Sequence, residues 1–101
     1  MTTIKIALLG FGTVAQGTFN LLQDNAELIR NRTGVNVEIS KIFVRNPDKY
    51  IHITLPETAQ YVTDIDEVLK DNSIQMVVEL MGGTTFAKDC VEGALKAKKN
   101  V

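Results

Sequence analysis

Residues 4–15 read IKIALLGFGTVA and contain the strongest structural signal in the chain. Its first half, Ile4 to Leu9, is an almost continuous apolar run, as a parallel strand that is covered on both faces requires. Its second half has the spacing G-x-G-x-x-A, with Gly10, Gly12 and Ala15 at the three small positions. The stretch therefore predicts a buried strand, a tight turn and the start of a helix.

Each residue of this turn has a physical task that favours a dinucleotide ligand. Gly10 permits the sharp exit from the strand, Gly12 lets the main chain approach a pyrophosphate, and Ala15 allows close packing of helix on strand. The N–H groups of Thr13 and Val14, at the positive end of the helix dipole, would form an anion site. The chain has no Gly-Lys-Ser/Thr of a P-loop, and Val14 stands where methyltransferases favour a third alternating glycine.

The rest of the chain alternates apolar runs with amphipathic ones, which is typical of βαβ units and a parallel sheet. The further predicted elements are a helix from Thr13 that stops at Gly34, strands at 35–44, 60–62 and 76–80, a short helix at 64–70, and a last helix that Thr84 or Thr85 caps. The apolar stripes predicted to face the core are Thr18, Leu21, Leu22, Ala26 and Ile29 in the first helix, and Phe86, Ala87, Cys90, Val91, Ala94 and Leu95 in the last.

This pattern predicts a Rossmann-type, doubly wound parallel α/β sheet with strand order 3-2-1-4, formed by one domain over residues 1–101. The last residues, Lys98 to Val101, are typical of the start of a further strand. We therefore expect the sheet to be truncated before its last strands.

Composition excludes several classes of function. The 101 residues are 45% hydrophobic and 23% charged with a net charge of −1, which gives no bulk field for nucleic acid or an anionic membrane. One cysteine, Cys90, and one histidine, His52, exclude a disulfide, a multi-cysteine zinc site and a histidine metal cluster. We interpret Cys90 as a core thiol and His52 as a surface residue. The N-terminal apolar run is too short for a signal peptide or a membrane span, so we expect a cytoplasmic protein.

The end of the second strand bears on the choice of cofactor. NAD-specific domains usually place a carboxylate there for the ribose 2′-hydroxyl, whereas this chain has Arg45, whose guanidinium suits a 2′-phosphate. Arg45 therefore favours NADP. NAD remains possible because Asp48 is close enough in sequence to bind the hydroxyl, and Lys49 is either a second phosphate contact or a solvated lysine.

A third candidate region follows the strand at 76–80. Met81, Gly82 and Gly83 would lie opposite the first glycine turn, since ligands of such sheets sit beyond the carboxyl ends of the strands. The loop either flanks a nicotinamide ribose or is simply the turn before a helix. Glu79 either binds the ribose, orients the loop or is a structural carboxylate. The sequence offers no candidate catalytic acid, base or nucleophile.

Taken together, these segments resemble homoserine dehydrogenase. The matching segments are residues 6–14 with Gly17, Val44-Arg45, residues 78–83 and residues 94–101. The resemblance implies the cofactor domain of an NAD(P)-dependent oxidoreductase that interconverts L-aspartate 4-semialdehyde and L-homoserine, in threonine and methionine biosynthesis. Ala15 departs from the family, which usually has glycine there, but alanine is an accepted variant.

The resemblance also implies roles for individual residues. Phe11, Thr13 and Val14 would contact the pyrophosphate or adenosine, Arg45 the 2′-phosphate, and Gly82-Gly83 the nicotinamide ribose. The family's proton-transfer residues lie in a part absent from this chain, so we expect the chain alone to be inactive and its parent enzyme to be a homo-oligomer. Two alternatives stay open, namely the cofactor domain of another NAD(P)-dependent oxidoreductase and a stand-alone dinucleotide-sensing regulatory module.

Overall fold

The computed structural model describes residues 2–81 and 85–101. Its elements are β1 (Thr2–Leu9), α1 (Thr13–Asp24), α2 (Ala26–Thr33), β2 (Val35–Phe43), a 3₁₀ helix (Pro47–Tyr50), β3 (Gln60–Val62), α3 (Asp66–Leu69), β4 (Ile74–Glu79) and α4 (Thr85–Lys96). The strands form one parallel sheet in the order β3-β2-β1-β4, which confirms the predicted topology.

The sheet is covered on both faces, as its alternating side chains require. On one face, Ile6 and Leu8 of β1 belong to a buried cluster that includes Ala15 and Phe19 of α1. The cluster on the opposite face contains Ala7, Leu9, Val68, Cys90 and Ala94. Because α1 lies on one side and α3 and α4 on the other, the sheet is doubly wound, as the sequence predicts.

The predicted helix between Thr13 and Gly34 is wrong in one respect, since the structure divides it into α1 and α2 at Asn25. The Asn25 backbone leaves helical geometry at φ −107° and ψ 10°, and its side-chain amide donates to the Leu21 carbonyl oxygen at 2.8 Å. A side chain that bonds to its own helix competes with the backbone ladder. Gly34 ends α2 in the left-handed conformation at φ 72°, which confirms the predicted stop.

The two predicted apolar stripes are wrong in part. Leu21 is 64% exposed and Leu95 is 58% exposed, although both are apolar and stand at helical spacing. The face of α1 that reaches the sheet runs through Ala15, Phe19 and the half-buried Leu22. Spacing gives the period of a helix, but its contact with the sheet decides which stripe is buried.

Among the described residues, no helix is long and apolar enough to cross a membrane.

The end of the chain pairs with the outer side of β4. The Val77 amide donates to the Asn100 carbonyl oxygen at 2.7 Å, and the Asn100 amide donates to the Gln75 carbonyl oxygen at 3.0 Å. These bonds form a parallel bridge between Asn100 and Met76. The residues before Val101 therefore begin to pair as a further parallel strand does, in agreement with the prediction for this segment.

A buried lysine anchors this pairing at the amino edge of the sheet. Lys99 is 5% exposed, and its Nζ donates to the carbonyl oxygens of Asp71 and Ile74 at 2.6 and 2.8 Å. The Asp71 carboxylate in turn pairs with Lys41 at 3.0 Å. Hydrogen bonding from the Ser73 side chain, aided by Lys41, lowers the pKa of Asp71 to about 2. The two carbonyl oxygens replace the water that the Lys99 ammonium group loses on burial.

A tight cap ends α4 and directs Lys99 inward. The Lys99 amide donates to the Ala94 carbonyl oxygen and the Lys98 amide to that of Leu95, both at 3.0 Å. This is the Schellman pattern, in which the first of the two donor residues adopts the left-handed conformation. That residue is Lys98, at φ 63°, although the conformation favours glycine.

Lys98→Gly is therefore expected to raise the free energy of unfolding by about 0.5–1 kcal/mol, because it removes left-handed strain that exceeds glycine's added chain entropy. Urea unfolding of both proteins measures the change. Lys88→Gly, at an exposed position inside α4, is the matched control and should lower stability by about 0.5–1 kcal/mol. Equal destabilisation by both substitutions would contradict this account of the cap.

Candidate functional site

The carboxyl ends of the parallel strands meet at one edge of the sheet and are joined there by main-chain hydrogen bonds. The Gly10 amide donates to the Phe43 carbonyl oxygen at 2.8 Å, and the Leu80 amide donates to that of Leu9 at 3.0 Å. Because β1 lies between β2 and β4, these bonds fix the three loops that follow the strands relative to one another.

A cleft of about 380 Å³ opens at this edge. Its lining consists of Gly10, Phe11, Gly12, Phe43, Val44, Arg45, Asn46, Lys49, Tyr50, Leu80 and Met81. Five of the predicted site residues therefore come together in one cleft, although they derive from three loops far apart in sequence. These five are Gly10, Phe11, Gly12, Arg45 and Met81.

Gly10 is required by the fold itself. Its backbone has φ +97°, which side chains of L-residues rarely adopt. A Cβ at this position would also lie 2.9 Å from the Met81 Cγ. The glycine thus lets β1 turn sharply and lets the loop after β4 approach it closely.

Gly12, in contrast, is not required by any contact within the chain. Its φ of −71° and ψ of −168° suit any residue, and a Cβ there would meet no described atom within 4 Å. Gly12 is the N-cap of α1, where no side-chain capping bond forms among the described residues and no acidic residue occupies the first turn. The arrangement leaves a helix N-terminus accessible to an anion.

Phe11 lines the cleft, but its ring belongs to the core. The side chain is 2% exposed and makes edge contacts with Phe19, Tyr50 and Tyr61 at centroid distances of 5.7, 5.6 and 5.8 Å. The Gln16 side-chain amide donates to the Phe11 carbonyl oxygen at 2.8 Å. Ring packing and this bond hold the glycine turn in a fixed shape. The packing leaves mainly the Phe11 main chain for a ligand.

The side of the cleft after β2 is cationic. Arg45 and Lys49 are both exposed and both line the cleft, together with Asn46 and Tyr50. The ring of Tyr50 is fixed by its contacts with Phe11 and Tyr61. Asp48, the residue that kept NAD possible, is not among the lining residues.

The opposite side of the cleft is the loop after β4, represented by Leu80 and Met81. The Met81 amide donates to the carboxylate of Glu79, which is half-buried at the end of β4. The predicted contacts at Gly82 and Gly83 lie outside the described residues.

Thr13 and Val14 are placed differently from the other predicted residues. They form the first turn of α1, outside the lining of the cleft, and the Val14 side chain is 69% exposed. Sequence reasoning also missed Asn46 and Tyr50. For Asn46 the available signal was its position just after the predicted strand at 35–44. Tyr50 lies further on, in a segment without a periodicity that would single it out.

The remaining titratable candidates lie apart from the cleft lining. Cys90 is buried, and burial raises the pKa of its thiol, with smaller contributions from the charges of Asp89 and Glu79. It packs in the core, as the sequence predicts. His52 is exposed. Within the described part of the chain, no group of three or more potential ligands could hold a metal ion.

A doubly wound parallel sheet with a glycine turn and an open helix N-terminus at its carboxyl edge defines a Rossmann-type dinucleotide-binding domain. The family model described as "Homoserine dehydrogenase, NAD binding domain" matches residues 10–101. The chain belongs to this family, and its cofactor class is a nicotinamide dinucleotide.

Individual relatives of the chain carry the same family name. A homoserine dehydrogenase of Pseudomonas aeruginosa is 39% identical over 102 residues, which cover 100% of this chain and 23% of that protein. The crystal structure of S. aureus homoserine dehydrogenase at pH 7.5 has a TM-score of 0.88 and 33% identity, covering 97% of this chain and 25% of that one. For the enzyme from Thiobacillus denitrificans the TM-score is 0.86 at 36% identity, with 98% and 22% covered. The chain thus spans about a quarter of the length of these relatives.

The two glycines of the turn should respond differently to an added methyl group. Gly10→Ala is expected to lower the free energy of unfolding by about 1–3 kcal/mol, because it combines backbone strain with a close contact at Met81. Gly12→Ala should change stability by less than about 0.5 kcal/mol and should instead weaken dinucleotide binding.

Chemical denaturation and titration with NADPH separate these two effects. Equal loss of stability in both variants, or unchanged NADPH affinity in Gly12→Ala, would show that the two glycines do not have these separate roles.

Proposed function

We propose that this chain binds NADP(H) in the cleft at the carboxyl edge of its sheet. The observation that carries the proposal is Gly12, whose missing side chain serves no contact within the described chain but permits a pyrophosphate to approach the N-terminus of α1. The family to which the chain belongs supports a nicotinamide dinucleotide.

NADP is favoured over NAD by the charge on the β2 side of the cleft. A 2′-phosphate adds negative charge at the adenosine end, and Arg45 and Lys49 both stand on that side. A guanidinium can bind a phosphate through two parallel N–H groups. NAD has no phosphate at this position for these cations to bind, and the nearby Asp48 is not among the lining residues.

Arg45→Ala tests the preference directly. The affinity for NADPH should fall by about 1.5–3 kcal/mol because a charge-assisted contact to the 2′-phosphate is lost, whereas NADH affinity should stay the same. Isothermal titration of both cofactors gives the two values.

A matched control is Arg32→Ala, which removes the same charge from the last turn of α2, next to the amino end of β2. It should leave both affinities unchanged. Equal losses of NADPH and NADH affinity in Arg45→Ala would refute a role in 2′-phosphate recognition.

We further propose that the chain is the cofactor-binding part of a homoserine dehydrogenase, which interconverts L-aspartate 4-semialdehyde and L-homoserine in the synthesis of threonine and methionine. Names of relatives that match the full chain support this role. The residues of the cleft bind and orient the dinucleotide, and the nicotinamide supplies hydride transfer when it is bound. A cytoplasmic location and a homo-oligomeric parent enzyme stay predictions of the sequence.

The 101-residue protein by itself is expected to bind NADPH but to turn over no homoserine, because binding one substrate does not position the other. The measurement is absorbance of reduced cofactor in the presence of L-homoserine and NADP. Sustained NADPH formation by the purified chain would contradict this expectation. Binding of a dinucleotide by a protein that occurs naturally at this length would favour the alternative of a stand-alone sensing module.

A further inference from the structure

Glu79 occupies the point where the β1–β4 ladder ends. It pairs with Leu9 in register, and the next amide, that of Leu80, still donates to the Leu9 carbonyl oxygen. At Gly10 the main chain of β1 turns away. The Met81 amide, two residues after Glu79, donates to the Glu79 carboxylate. The carboxylate therefore holds the first residues of the loop that follows β4.

This bond fixes a wall of the cleft. Met81 lines the cleft and lies against the glycine turn, since a Cβ at Gly10 would be 2.9 Å from its Cγ and 3.5 Å from its amide nitrogen. A small shift of the Met81 main chain would therefore change the width of the cleft beside Gly10. The bond to a charged acceptor is of the stronger kind and resists that shift.

The strand order assigns this wall to one half of the ligand. β1 and its glycine turn lie between β2 and β4, so the cationic residues after β2 and the loop after β4 flank the turn from opposite sides. If Arg45 receives the 2′-phosphate, the adenosine half lies on the β2 side. The nicotinamide half then extends toward Met81.

We propose that Glu79 is a positioning residue for the nicotinamide half of the dinucleotide, acting through its hydrogen bond to the Met81 amide. This inference rests on the proposed function. It distinguishes Glu79 from Arg45, which acts on the other half of the ligand by direct contact.

Two variants of nearly the same size separate the bond from the bulk of the side chain. Glu79→Gln keeps a carbonyl oxygen as acceptor, whereas Glu79→Met removes it. With the full chain, Glu79→Met is expected to bind NADPH about tenfold more weakly, the effect of losing one charge-assisted bond, and Glu79→Gln to stay within about threefold of the original protein.

Adenosine 2′,5′-bisphosphate, which carries only the adenosine half, is the second probe. Its affinity should be the same in all variants. Glu92→Met, which removes an exposed carboxylate from α4, is the matched control and should bind both probes normally.

Unchanged NADPH affinity in Glu79→Met would overturn the proposal. An equal loss of affinity for NADPH and for adenosine 2′,5′-bisphosphate would also overturn it, because it would indicate a merely structural carboxylate. If the original protein binds neither probe, the proposed function itself fails. Should Glu79→Met not fold, hydrogen exchange at the Met81 amide decides the point. Strong protection without ligand in the original protein and in Glu79→Gln is expected, and rapid exchange in the original protein would overturn the inference.

Discussion

The hydrogen bond from the Gly10 amide to the Phe43 carbonyl oxygen is the constraint on which the cleft depends. The same residue then turns the chain out of the sheet at positive φ and gives the Met81 loop room to approach. One main-chain turn thus brings the ends of β1, β2 and β4 together. Without it the sheet would still bury its strands, but the three loops would have no common geometry.

The central position of β1 then divides the cleft into parts with different chemistry. The glycine turn presents main chain and the start of α1, the β2 side presents cations, and the β4 side presents a loop held by a carboxylate. The net charge of −1 conceals this division, because the positive field needed for phosphates is local. The same sheet is closed at its amino edge by the buried ammonium group of Lys99.

Local patterns predicted most of the fold. The apolar run before Gly10, the stop at Gly34 and the short strand at 60–62 are confirmed, since each follows from burial or backbone geometry within a few residues. The division of the first helix at Asn25 was not predicted, because a side chain bonding to its own helix leaves no mark on the apolar period. The exposure of Leu21 was missed for a related reason, as spacing alone does not determine which stripe meets the sheet.

The sequence alone predicted the glycine turn and the cation at the end of β2, because these depend on residue type and short-range spacing. It predicted the topology through the alternation of strands and helices, which favours one strand order. The tertiary structure was needed to show that Tyr50 joins the cleft and that the ring of Phe11 faces the core. Those outcomes depend on how strands distant in sequence come into register. A hydrogen bond or ring contact across that register exists only once the sheet has formed.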